Sequence, residues 1–153
     1  MKRGFTYIEL LLVIIILGIL TSISAPSFKN SFNDLKLNNS AKRIAILIKQ
    51  LQAHAFSRTE IFCLEVRSQE GVLQPLSKVN FRWQPLKTRD IKTVILPQGI
   101  NLLLSPKDKM RIYFYPDGSI DKTDVILESG KNRKIILTLE DITGNVKISG
   151  IEQ

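Results

Sequence analysis

A chain of 153 residues, 44% hydrophobic and 24% charged, can fill one globular domain and is too short for two of ordinary size. Its formal charge of +8 fits nucleic acid, anionic lipid, an acidic protein or plain solubility, and charge alone does not separate these. A single cysteine, Cys63, excludes an intrachain disulfide, so the fold must rest on its own core; between Phe62 and Leu64 the thiol reads as a small buried side chain of a strand.

The apolar residues are unevenly spread. Residues 5–25 hold one charge, Glu9, and as a helix at about 1.5 Å per residue they cover about 31 Å, the hydrocarbon thickness of a bilayer. A secretory signal peptide has a shorter apolar core of about 7–15 residues and small residues at a cut site after it. Ser24 and Ala25 offer a weak site of that kind, but two features speak for a retained helix. The basic leader Met1-Lys2-Arg3-Gly4 is very short, and an acid inside an apolar run is costly enough to be a functional candidate. Gly18 and Ser22 form a small-xxx-small pair that lets helices pack closely. Charge does not set the orientation of this span, because Lys2 and Arg3 are matched by Lys29, Lys36, Lys42 and Arg43 beyond it.

Pro26 predicts a kink or short break, after which the helix resumes. From Phe28 to about Ser57 a helical stripe is predicted on Phe28, Phe32 and Leu35, then Ile44, Leu47, Ile48, Leu51 and Ala55, with Asn38, Asn39 and Ser40 as a weak point. The lone His54 lies beside this stripe and has no second histidine with which to build a metal or catalytic site. Beyond Glu60 the pattern becomes short alternating runs, the sign of antiparallel strands. Val79, Phe81 and Trp83 alternate with Asn80, Arg82 and Gln84; Met110, Ile112 and Phe114 repeat the pattern, as do Ile135, Leu137 and Leu139, then Val146 and Ile148. Turns are predicted at Pro116-Asp117-Gly118-Ser119, Gly130-Lys131-Asn132 and Thr143-Gly144-Asn145. Asp121 and Asp124 are too few and too isolated for a calcium loop and read as turn or edge residues.

The segment Gly4-Phe5-Thr6-Tyr7-Ile8-Glu9-Leu10 resembles the processing and methylation motif shared by type IV pilins and type II secretion pseudopilins. That resemblance implies cleavage after Gly4 by a membrane-embedded prepilin peptidase, N-methylation of Phe5, and an assembly role for Glu9 against the terminal amine of a neighbouring subunit. It also implies a single-pass inner-membrane precursor with its leader in the cytoplasm and its head in the periplasm. A second likeness lies in the C-terminal third, where Ile112-Tyr113-Phe114-Tyr115-Pro116-Asp117-Gly118-Ser119, the run Ile135-Ile136-Leu137-Thr138-Leu139 and Thr143-Gly144-Asn145-Val146 resemble the GspH/FimT group of minor pilins and pseudopilins.

The expected fold is α+β: a long N-terminal helix, membrane-spanning in its first half and amphipathic in its second, packed on an antiparallel sheet head. Its expected parts are a leader (1–4), a transmembrane and filament-core helix (5–25), an amphipathic continuation (26–59) and a β-rich periplasmic head (60–153). The function implied by resemblance is that of a minor pseudopilin near the tip of a periplasmic filament that helps export folded proteins, with major and other minor pseudopilins as partners. The alternative is a minor type IV pilin that serves pilus assembly or DNA uptake. For nucleic acid, Arg82, Trp83, Lys87, Arg89 and Lys92 mix charge with an aromatic platform, and Lys131, Arg133, Lys134 and Lys147 form a second cluster. The Gly-Arg-x-Arg motif associated with DNA-binding relatives reads Gly144-Asn145-Val146-Lys147 here, which loses the bidentate phosphate contact. One histidine, one cysteine and no glycine-rich phosphate loop leave little from which to build an enzyme, and neither cofactor nor metal is expected.

Overall fold

The computed structural model describes residues 6–104, 109–130, 133–140 and 146–152, leaving the side chains of 22–31 and 151–152 undescribed. By internal contacts the chain divides into two units, Met1–Asn33 and Asp34–Gln153. Helix α1 (Tyr7–Arg58) contributes residues to both. It is uninterrupted at Pro26, where a kink or break was predicted, because one lost donor is a small fraction of the hydrogen bonds in a helix of 52 residues. Among the described residues no helix is long and apolar enough to cross a membrane. The predicted span of 5–25 extends past the fully described stretch, 6–21, at both ends.

In the second unit α1 buries Leu37, Ala41, Ile44, Leu47, Ile48, Leu51 and Ala55, whose steps of three and four residues put them on one face. The stripe starts differently from the sequence expectation, since Phe32 and Leu35 are 62% and 58% exposed. At about 100° per residue, Leu35 lies nine positions, or about 180°, away from Ile44, whereas Leu37 lies within about 20° of it. The polar residues at 38–40 do not interrupt the face. Ser40 enters the core because its hydroxyl donates to the Lys36 carbonyl at 2.7 Å, one turn back. The helix ends where Thr59 takes a left-handed φ of 56° and the Glu60 amide donates to the Ala55 carbonyl at 3.3 Å.

Among the described residues nine strands follow: β1 (Phe62–Arg67), β2 (Val72–Val79), β3 (Arg82–Pro85), β4 (Val94–Ile95), β5 (Ile100–Leu103), β6 (Lys109–Phe114), β7 (Thr123–Ser129), β8 (Arg133–Leu139) and β9 (Val146–Glu152). One antiparallel sheet has the order β3-β2-β1-β6, with β4 pairing β2 beyond β3; the other has the order β5-β7-β8-β9. Alternation sends Phe62, Leu64 and Val66, Ile112 and Phe114, Val125 and Leu127, and Ile135, Leu137 and Leu139 into one core with the helical stripe.

The predicted alternation of Val79, Phe81 and Trp83 within one strand is replaced by a hairpin. Val79 pairs with Arg82 and Lys78 with Trp83, so Asn80 and Phe81 are the two-residue turn, with φ of 50° and 62°. Positive φ at both positions is the signature of the turn whose twist matches paired strands, and asparagine enters it readily. The turn at Tyr115–Ser119 forms as predicted. Gly118 has a φ of +87°, its amide donates to the Tyr115 carbonyl at 3.0 Å, and Asp117 Oδ1 accepts from the Ser119 amide at 2.9 Å. Gln52 Nε2 donates to the Gly118 carbonyl at 2.7 Å, which ties this turn to the helix. The other two predicted turns fall largely on 131–132 and 141–145, outside the described residues.

Truncation of Leu51, which is fully buried, to alanine should cost about 3 kcal/mol, whereas Ile46→Ala, at a 56% exposed position, should change stability by less than about 0.5 kcal/mol. Denaturant unfolding of the full chain in mild detergent, followed by circular dichroism, checks the contrast.

Candidate assembly surface

In the first unit, the described helix is apolar on every side. Tyr7, Ile8, every residue from Leu10 to Leu17, Ile19 and Leu20 are all between 44% and 83% exposed. A helix that is hydrophobic all round belongs inside a membrane or a bundle of similar helices, because no orientation hides it from water. Two of its polar side chains, Thr21 and Glu9, bond within the helix or at its first turn. Thr21 Oγ1 donates to the Leu17 and Gly18 carbonyls at 2.9 and 3.0 Å. Glu9 Oε2 accepts from the Thr6 amide at 3.4 Å and from Thr6 Oγ1 at 3.3 Å, so the carboxylate folds back over the first turn of α1. Thr6 and Glu9 thus stand in the spacing of a capping box, with the negative charge at the helix end whose dipole favours it. Gly18 has open space where a Cβ would lie, which leaves the close approach of a second helix unobstructed. Gly4 and Phe5 lie outside the described residues, and so does the side chain of Ser22.

Among the described residues no group of three or more His, Cys, Asp or Glu side chains could hold a metal. His54 packs its ring edge-on against Phe62 at 5.3 Å, and its Nε2 is buried without a partner among the described residues. Asp121 works at a sheet edge, accepting from the Tyr113 amide at 3.1 Å and from the Tyr115 hydroxyl at 3.2 Å.

The two basic clusters read from the sequence are divided by the fold. Trp83 is half-buried against Tyr113, with ring centroids 5.7 Å apart, so its faces are not an open platform. Lys92 instead lines a cavity of about 190 Å³ with Arg43, Ile46 and Gln50 of the helix. In the second cluster, Arg133 pairs with Asp34, and Lys134 lies 3.5 Å from Glu128, which neutralises both. Lys147 is exposed, and Lys131 lies outside the described residues. On the outward face of the first sheet, Glu65 pairs with Arg111 at 3.0 Å and with Arg67 at 3.3 Å. The carboxylate of Glu65 holds the Arg111 guanidinium above its ordinary pKa.

The chain matches no protein-family model and no curated protein. Among solved structures, its fold is that of the pilin-like GspH/FimT group. The minor pseudopilin EpsH from the Type 2 Secretion System of Vibrio cholerae is similar with a TM-score of 0.62 at 14% identity, covering 74% of this chain and 96% of that one. The type IV minor pilin FimU of Pseudomonas aeruginosa is similar with a TM-score of 0.58 at 12% identity, covering 76% of this chain and 90% of that one.

Cys63 is fully buried on β1, between its register partners Leu76 and Tyr113. Burial pushes its thiol from the ordinary 9.0 up to about 11, with Arg111 opposing the shift and Glu65 and Asp121 adding to it. A raised pKa means the folded chain holds the proton more tightly than the unfolded one. The stability linked to Cys63 is therefore complete below about pH 9 and is lost as pH rises through about 11. At pH 8 the native thiol should resist a disulfide-exchange reagent and should react within minutes once denaturant is added; a colorimetric thiol assay reads both.

Proposed function

We infer that this chain is a minor pseudopilin of a type II secretion system, a structural subunit at or near the tip of a short periplasmic filament. The observation that carries the reading is the pairing of an all-round apolar N-terminal helix with a second unit of the EpsH fold. Such a helix is stable in only two settings, a bilayer and a bundle of its own kind, and a filament subunit uses both in turn. In this reading the precursor crosses the inner membrane once through 5–25, with the head in the periplasm. A prepilin peptidase cuts after Gly4, Phe5 becomes the methylated terminus, and the helix leaves the lipid for a bundle formed with major and other minor subunits.

Glu9 supplies the register of that bundle. In the isolated chain the carboxylate is held by the first helical turn at distances of 3.3 and 3.4 Å, long enough for a full positive charge to displace them. The amine released by cleavage is such a charge. In a dry bundle a carboxylate that lacks it would be costly, so only one stagger between neighbouring helices is stable. The chain then acts by packing, and its side chains perform no catalytic step.

The similarity to FimU supports a second reading, a minor type IV pilin that serves pilus assembly or DNA uptake. Neutralisation of Arg133 and Lys134 within the head weakens its nucleic-acid branch. Deletion of the chain in its own cells separates the two: loss of secreted folded proteins with intact pili supports the first, and loss of pili or of DNA uptake supports the second.

Glu9→Ala should leave insertion and cleavage intact and reduce incorporation into sheared or cross-linked filaments by at least about tenfold, as expected for loss of a buried charge pair. Normal incorporation would sink the assignment of Glu9. Gly4→Ala should instead leave a precursor of uncut size in the membrane fraction, read by immunoblot.

A further inference from the structure

The tip of the β2–β3 hairpin is built against its own stability. Asn80 and Phe81 both have positive φ, and for a bulky side chain such as Phe81 that conformation is sterically disfavoured. Glycine at 81 would remove the conflict and complete an Asn-Gly pair, the preferred sequence for a two-residue turn. Phe81 gives the core nothing in return. At 92% exposure it is the most exposed large hydrophobic among the described residues. Neither the turn nor the packing accounts for a phenylalanine here, and strain of this kind persists where a residue serves something outside the fold.

One cation lies over the ring, and a second follows it in the chain. Lys78 Nζ lies 5.9 Å from its centroid, and Arg82, the next residue in the chain, is exposed. Neither makes an ion pair among the described residues. A projecting aromatic with two uncommitted cations beside it matches an apolar pocket with carboxylates at its rim. We propose that Phe81 is the anchor by which this protein docks into such a pocket on a different protein, with Lys78 and Arg82 meeting the acidic rim.

Neither of two cavities among the described residues of a second copy offers that pocket. The cavity of about 300 Å³ carries Arg133 and Lys134 against one carboxylate, Asp34, which Arg133 already neutralises. The smaller one carries Arg43 and Lys92 against Asp90. Lys78 and Arg82 would meet like charge at both. A lipid surface fits less well, since one ring and two charges give only marginal, reversible attachment, whereas a pocket removes the whole ring from water. The inference does not depend on filament membership, and its test leaves Glu9 untouched.

The test replaces Phe81 with a photoreactive phenylalanine analogue in the full chain, produced in its own cells and irradiated there. The expected result is one discrete protein adduct whose cross-linked peptide is apolar and flanked by Asp or Glu. Its yield should fall at least about tenfold when Lys78→Glu and Arg82→Glu are added, because reversed charges repel the rim. A lipid adduct, an adduct to a second copy, no adduct, or an adduct indifferent to the two charge reversals would each overturn the proposal. A second measurement guards against a purely structural role for Phe81. Phe81→Gly should leave the melting temperature of the full chain unchanged or raise it by about 3 °C, and a lowered value would show that the ring serves the fold and would overturn the proposal.

Discussion

The second unit depends on the phase of one helical face. From Leu37 to Ala55 the helix commits a stripe of aliphatic side chains to the core, and both sheets are arranged to cover it. A stripe of that length tolerates no slip, because about 100° of rotation per residue would exchange Ile44 for the smaller, half-buried Ala45 and bring Lys42 and Lys49 inward. Among the described residues Ser40 is the one polar residue of the helix that the core admits, and it enters with its hydroxyl already bonded to the turn before it. The strands inherit the same constraint. In β1, Phe62, Leu64 and Val66 must face the helix, so Cys63, Glu65 and Arg67 must face away.

That division of faces explains where the charges of the head go. Glu65 sits between Arg111 and Arg67, and Arg67 reaches Glu70 at 2.6 Å, a chain of partly exposed pairs on the outward side of the first sheet. Pairs of this exposure add little stability each, about 0–1 kcal/mol, but they settle which cations are already committed. The same holds for Arg133 and Lys134. Among the described residues Lys78 and Arg82 of the hairpin and the exposed Lys147 keep no carboxylate partner, a pattern quite different from a basic surface counted along the chain.

Much of this architecture is legible in the sequence. The long helix, the change to strands after Glu60, the stripe from Ile44 to Ala55 and the turn at Pro116–Ser119 all follow from local periodicity and turn chemistry. Two of the errors share one cause, which is that periodicity does not carry phase across a polar gap or a tight turn. Phe32 and Leu35 look continuous with the stripe until the helical angle is counted through Asn38–Ser40. Val79 and Trp83 look like one face until Asn80 and Phe81 reverse the strand. Pairings such as Asp34 with Arg133 join residues far apart in the chain, and no local pattern foretells them. For the candidate site, Glu9 stands out as an acid in an apolar run, yet its return to Thr6 is visible only in three dimensions.

Asp121 has a bearing on the margins of the first sheet. Its carboxylate takes the Tyr113 amide, and its own amide donates to the Tyr113 carbonyl at 3.2 Å, so both backbone groups of that residue on the outer strand are occupied. At the opposite margin of the sheet, β3 has only four residues and ends in Pro85. A sheet blunted on both margins is a poor template for strand addition. Copies of this unit brought side by side are thereby discouraged from fusing into continuous β-structure, although one face of each sheet carries the alternation that such fusion needs.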